Sequence, residues 1–417
     1  MAENSTDCYL SPLDLDPAPT RKVGWPWDRQ GKLPLRRQFV NTDWPRISIV
    51  TPSFNQAAFL EETIRSVLLQ DYPNLEYIII DGGSSDGSVE IIRKYEPWLA
   101  YWVSEPDPGF IHAINKGIKK STGEIISWLN SDDTYFPGVL NTVRTYLIFQ
   151  PGTQVLYGDA LFVDSEGKKI SYFKSHDFIP PSIFFDHFIP QPASFIRRSI
   201  FDQVGLLNED LKFALDYDLW MRIVNRGRLN YIPELWATYR IHSASKSSRE
   251  QVFRWEDSIT ILINFFRRED IPSSWHKYYS ESLSHAHWQT AIEYYRLHDD
   301  EKALKHIICA LEIKPNSYPF RLLSHNLVGS VADRMNEELF NFIDGFFSLI
   351  PKSRQITIAH RKSRARLMAL LSINPKTPYP QSRKYARDAI KLDRYWVSNR
   401  FVLKTAMFSP LCSLSRL

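Results

Sequence analysis

Two neighbouring carboxylates, Asp132 and Asp133, stand in the run Asn130-Ser131-Asp132-Asp133, directly behind the strand-like stretch Glu124 to Leu129. Side-by-side acids at a strand end repel each other unless a cation neutralises them. Mg²⁺ and Mn²⁺ favour oxygen ligands and are commonly held by one or two carboxylates together with substrate phosphates. The same residues would also suit the start of the helix expected over Gly138 to Phe149, as a cap. A third acid, Asp216, opens an amphipathic segment with Leu219, Trp220 and Ile223 on its apolar side. There it can be a helix cap, or a general base within reach of an acceptor hydroxyl. His242 lies between Arg240 and Lys246 in a polar loop suited to a diphosphate or a metal, although a lone histidine is commonly structural. Gly82, Gly83 and Gly87 punctuate the run Asp81 to Ser88 and allow close backbone approach to a ligand. A carboxylate in that run can accept a hydrogen bond from an imide N–H or a ribose hydroxyl. No Gly-x-x-x-x-Gly-Lys-Ser/Thr run is present, so a P-loop is not indicated.

Alternating strands and helices must position these groups. Arg46 to Val50 reads as a strand ended by Thr51-Pro52, and Ala57 to Leu69 has helical spacing. Tyr77 to Ile80 is a continuous apolar run, as in a strand buried on both faces. Helices are expected over Val89 to Tyr95 and Ile111 to Lys119, and strands over Glu124 to Leu129 and Val155 to Tyr157. That order implies an α/β fold with a mostly parallel central sheet covered by helices. In such sheets ligands bind beyond the carboxyl ends of the strands. Each polar cluster (Thr51 to Asn55, Asp81 to Ser88, Asn130 to Asp133) follows a strand directly.

Residues 1–45, rich in proline, read as an extended arm that packs Trp25 and Trp27 on the domain behind it. Residues 46–247 form the α/β domain, and 248–417 an α-helical domain. Within the latter, Ser284 to Ser317 resembles one 34-residue tetratricopeptide repeat, with a weaker echo ending at Asp393; a plain helical bundle is the other reading. The chain carries +4 overall, yet residues 351–417 hold 15 Lys+Arg against 2 Asp+Glu, which leaves the first 350 residues at −9. A basic region of this kind points to an acidic surface as partner, anionic lipid or nucleic acid, and reads equally as a solvated helical face. Three scattered cysteines fit no disulfide framework, and Met1 to Tyr9 lacks the features of a signal peptide, so a cytoplasmic setting is expected.

Taken together, these runs resemble glycosyltransferase family 2, whose fold is usually called GT-A. The motifs are Ser48 to Asn55, Ile80 to Ser88, Ala113-Ile114-Asn115-Lys116-Gly117, Gly123 to Asp133, Gln191 to Phe195 and Asp216 to Trp220. They cover about residues 46–247 in the family's order. The resemblance implies that Thr51, Pro52, Ser53, Asn55, Gly82, Asn115, Lys116, Asn130 and Ser131 line the nucleotide-sugar pocket and that Asp81 binds the base. It also implies that Asp132 and Asp133 hold a divalent metal (Mn²⁺ or Mg²⁺), Asp133 also facing the donor sugar, and that Asp216 is the base of an inverting single displacement; His242, from its own polar loop, is the further candidate metal ligand. The donor would be a nucleotide-diphospho-sugar, UDP-linked as first choice, and the acceptor a glycan or lipid-linked hydroxyl. With a lipid-linked acceptor, the basic region is expected to contact an anionic membrane peripherally at its inner face, and nucleic acid is not expected as a partner. This chain departs from the family pattern at Asn130, where the first acid of Asp-x-Asp is common, and at Leu215, commonly acidic. A catalytically inactive scaffold would be expected to have lost Asp132 or Asp216, and both are present.

Overall fold

A computed structural model of the chain describes residues 15, 22, 24–27, 44–242, 251–315, 317, 336–350, 354–373, 379–399 and 402. It divides into two units, Met1–Ser273 and Ser274–Leu417. The helix Gln251–Phe266 packs with the first unit.

The first unit is built on eight strands: β1 (Ile47–Ser53), β2 (Leu75–Asp81), β3 (Tyr101–Ser104), β4 (Ile125–Trp128), β5 (Thr153–Val163), β6 (Lys169–Phe173), β7 (Ser194–Arg197) and β8 (Arg228–Arg240). Helices α1 (Leu60–Leu68), α2 (Ser88–Tyr95), α3 (Phe110–Lys120), α4 (Val139–Phe149), α5 (Arg198–Val204), α6 (Leu215–Ile223) and α7 (Gln251–Phe266) connect and follow them. The strands run in the order β3-β2-β1-β4-β7-β5-β6, with β8 paired to β5. The expected parallel sheet is its first half: β3, β2, β1 and β4 are mutually parallel. The second half is mixed, because β7 runs antiparallel to both β4 and β5, and β6 antiparallel to β5, while β8 is parallel to β5.

The register explains why three polar runs meet. Ser53 pairs with Asp81, Asp81 with Ser104, and Val50 with Trp128. The carboxyl ends of β1 to β4 therefore share one edge, where such sheets receive ligands. Apolar side chains fix this arrangement: Ile78, Ile79 and Ile80 are all buried, as a strand covered on both faces requires, and α1 buries Leu60, Ile64, Val67 and Leu68. Helix α3 crosses β1 at Gly117, where an added Cβ would sit 2.3 Å from Val50 Cγ1. Gly117→Ala should therefore destabilise the unit by about 1–3 kcal/mol through overpacking, read as a lower denaturant midpoint at unchanged slope; an unaltered midpoint would show that the crossing yields freely.

Of the proline-rich arm only a few residues are described. Trp25 Nε1 donates to Tyr135 O (2.7 Å), and Trp27 is buried beneath the Arg65 guanidinium, 5.5 Å from the ring centre. Both tryptophans thus pack on the α/β unit.

In the second unit, helices Tyr279–Arg296 and Asp300–Ile313 form a hairpin with Ala291, Ala303, Ile307 and Ala310 buried within it. Ser284 and Ser317, the ends of the repeat-like stretch, share a hydroxyl hydrogen bond of 2.5 Å. Helices Arg354–Ile373 and Tyr379–Leu392 pack together as a second pair. Among the described residues no helix is long and apolar enough to cross a membrane.

Candidate active site

A cavity of about 540 Å³ opens at the carboxyl edge of the sheet, and Pro52, Ser53, Gly82, Asn130, Ser131, Asp132, Asp133 and Asp216 all line it. These residues come from β1, the end of β2, the loop after β4, and α6. The sequence-spaced carboxylates Asp132 and Asp216 therefore face one space.

The Asp132 loop is held from two sides. Leu129 N donates to Val50 O of β1 (2.9 Å). On the other side the segment after Asp133 is laced to β8: Phe136 N to Trp236 O (2.9 Å), Thr238 N to Thr134 O (2.8 Å) and Thr134 N to Thr238 Oγ1 (2.9 Å). Capping does not explain the acids. Helix α4 begins at Val139 behind Gly138 and has no side-chain cap bond.

The two adjacent carboxylates have different surroundings. Asp132 Oδ2 lies 3.1 Å from His242 Nε2, whose ring packs on Phe59 with centres 4.8 Å apart. Asp133 is 1% exposed; its Oδ1 accepts from Arg240 N (2.8 Å), and its Oδ2 lies 3.5 Å from Asn130 Nδ2. Burial first, then the charge of Asp132, pushes Asp133 well above the ordinary carboxylate range. Asp133 thus borders the cavity with its carboxylate held by Arg240 N and near Asn130. Among the described residues no three His, Cys, Asp or Glu side chains are grouped to hold a metal. What the structure offers is the Asp132–His242 pair. Asp132 lines the cavity, and with His242 it would suit a divalent ion whose other ligands came from substrate phosphates and water. Lys246, the other flank of His242, lies outside the described residues.

Asp216 sits in the first turn of α6, which buries Leu215, Tyr217, Leu219 and Trp220. It is not the cap. The N–H groups of Lys212, Phe213 and Ala214 donate instead to one oxygen of Asp257 from α7 (3.2, 2.8 and 3.1 Å). Trp220 stacks on Trp128 (centres 6.4 Å), and His187 stacks on Tyr217 (4.1 Å), fixing the helix against the cavity wall. Burial raises the Asp216 carboxyl above its ordinary 3.8, against hydrogen bonding from Tyr217 N and the positive charge of Arg254. A raised carboxylate is a stronger base.

Other expected ligand residues have structural duties. Asp81 is fully buried, and its carboxylate accepts from Gly83 N (3.1 Å), Ser84 N (2.8 Å), Ser84 Oγ (2.6 Å) and Ser104 Oγ (2.6 Å). It organises its own loop, directly before Gly82 of the cavity lining. Thr51 is likewise buried, its hydroxyl paired with Tyr77 OH (3.1 Å). Asn55, at φ 52°, joins two loops through Asn55 N to Ser84 Oγ (2.8 Å) and Ser85 N to Asn55 Oδ1 (2.9 Å). Asn115 donates to Leu207 O and Glu209 Oε1 and accepts from Leu207 N. Lys116 pairs with Glu105 in a separate hollow with His112, Lys119 and Lys120.

Residues the sequence did not flag complete the lining. Asp107 follows β3; an added Cβ on Gly82 would come 3.1 Å from Asp107 Oδ2 and 3.3 Å from Phe54, so only glycine leaves that corner open. His187 and Arg254 lie near Asp216 on the same wall. Asp107 was marked only by the Asp-Pro-Gly turn behind a short strand, and Arg254 by nothing local.

An α/β unit with acids gathered at the carboxyl edge of its sheet has its candidate site where such sheets receive ligands. Comparison with known proteins narrows this. Residues 48–205 match the family model Glycosyl transferase family 2. An uncharacterized glycosyltransferase of Mycobacterium tuberculosis is 32% identical over 186 residues, 43% of this chain and 70% of that protein. One of Rickettsia felis is 29% identical over 220 residues, 50% of this chain and 36% of its own, so this chain spans about a third of that relative. Staphylococcus aureus TarS 1–349 in complex with UDP-GlcNAc aligns over 84% of this chain and 90% of that one, at 15% identity and a TM-score of 0.48. The chain belongs to glycosyltransferase family 2.

Proposed function

We propose that this protein transfers a sugar, with inversion, from a nucleotide-diphospho-sugar to a hydroxyl of a glycan or lipid-linked acceptor. The observation that carries the reading is that Asp132 and Asp216, 84 residues apart in sequence, line one cavity together with the ends of β1 and β2. A divalent ion (Mn²⁺ or Mg²⁺) held by Asp132 and His242 would neutralise the leaving diphosphate. The chain's own residues do the rest. Pro52, Ser53 and Gly82 form the floor for the nucleotide, and Asn130 and Ser131 face the donor. Asp216 accepts the proton of the acceptor hydroxyl, whose oxygen bonds to the anomeric carbon from the side opposite the departing diphosphate. Held in one cavity, the two reactants meet at high effective concentration. UDP is the first donor nucleotide to test.

A screen of nucleotide-sugars for nucleotide release, run with Mn²⁺, Mg²⁺ and EDTA, tests the reading. Release from one donor that needs the ion supports it, and no cation-dependent release from any donor removes it.

The basic residues of 351–417 support a peripheral contact with an anionic membrane. Removal of that region should abolish co-sedimentation with phosphatidylserine liposomes at about 0.1 M salt, the ionic strength at which charges act over ~10 Å; equal sedimentation of both forms would exclude the contact.

A further inference from the structure

We infer that Arg240 is a positioning residue for the cation-holding carboxylate, and that Glu62 on α1, which does not line the cavity, shares in that role. The inference rests on the proposed metal reading and goes beyond it, to how the loop is set before an ion arrives.

Arg240 ends β8 and is 2% exposed, and every side of its guanidinium is used. Nε donates to Asp132 O (2.8 Å). One terminal nitrogen donates to Asp164 O (3.1 Å) and Ser165 O (3.3 Å), and the other to Glu62 Oε2 (3.0 Å). Its backbone N–H holds Asp133 Oδ1, and its charged carbon lies 5.0 Å from the centre of the Phe59 ring. Phe59 in turn packs on His242, the partner of Asp132. One planar cation thus ties the backbone of the Asp132 loop to α1, to the turn after β5 and, through Phe59, to the imidazole.

The chemistry requires a guanidinium. Three acids, Glu62, Asp132 and Asp133, crowd here, and buried acids without a counter-charge are costly. A fixed fork of five N–H donors reaches four oxygens in different directions at once, which a lysine ammonium on a flexible stem cannot. The arrangement also makes a prediction of opposite sign to simple electrostatics. A positive charge beside a cation site weakens cation binding, so deleting a bystander arginine should tighten it. Deleting a residue that holds Asp132 in place should weaken it.

Mn²⁺ binding in the presence of UDP, measured by the loss of the free-ion EPR signal, separates the two. With Tm recorded for each protein, Arg240→Met and Arg240→Lys should each weaken Mn²⁺ binding at least tenfold, and Glu62→Gln by a smaller factor of about three. Tighter binding in Arg240→Met, or unaltered binding in folded Arg240→Lys, overturns the inference. If Arg240→Met does not fold, Arg240→Lys decides alone. Failure of the unaltered protein to bind Mn²⁺ with UDP would instead remove the metal reading itself, before any variant is compared.

Discussion

Asp216→Asn should lower kcat by about 10³-fold while the affinity for UDP stays within about twofold, since a positioned general base contributes roughly 10²–10⁴-fold and touches the acceptor side alone. The amide is isosteric and cannot take a proton. The helix should survive the change, because the N–H groups ahead of α6 are held by Asp257 and not by Asp216. Transfer activity, UDP binding and melting temperature, measured on one preparation, distinguish lost chemistry from lost structure. The pH profile adds a second reading. Burial holds the Asp216 carboxyl above 3.8. As the proposed base the group would act only when deprotonated, so kcat/KM should rise with pH through that raised pKa, placing the acidic limb above 3.8. Asp216→Asn should flatten that limb. A variant with near-normal turnover, or one that keeps the limb, would show that the base lies elsewhere.

Asp132→Ala should be as severe in activity and should also show at the ion. Neutralising a leaving diphosphate is worth several kcal/mol, so a loss of 10³-fold or more is expected, together with Mn²⁺ binding weakened beyond tenfold. Its neighbour is the control. Asp133 is pinned to Arg240 N and turned from solvent, so Asp133→Asn, which retains a carbonyl oxygen for that N–H, should change Mn²⁺ affinity by less than about threefold. Equal effects at the two positions would mean that the acids act as a pair on the ion, and the separation seen between them would lose its meaning.

Much of the carboxyl edge was legible because the strands that build it are rich in apolar residues. Ile78 to Ile80 gives way to Asp81-Gly82, and Ile125 to Leu129, interrupted only by Ser127, gives way to Asn130, where loops of the cavity begin. The strands missed were β3, β6, β7 and β8, of which β7 is only four residues long. β3 has four half-buried residues, and β6 is mostly exposed. β8 contains Pro233 and Glu234 and accommodates them by shifting register against β5. Because β8 was hidden, so was the reason for Arg240 and His242 to approach Asp132. Side-chain duties were less legible than positions. Asp81 is placed by its motif at the edge of the site, yet its oxygens are filled by Ser84 and Ser104, and no spacing reveals where a carboxylate will find its donors. Asn115 and Lys116 similarly find partners outside the cavity, in Leu207, Glu209 and Glu105.

The grip of Asp257 on residues 212–214 has a bearing on how a minimal catalytic fragment should be cut. The family match stops at residue 205, and the recognisable motifs stop near 247, yet the acid that anchors the start of α6 lies ten residues further on. A fragment trimmed to the motifs would leave three amide groups dangling next to Asp216. One that runs to Ser273 retains the anchor along with the whole helix that carries it.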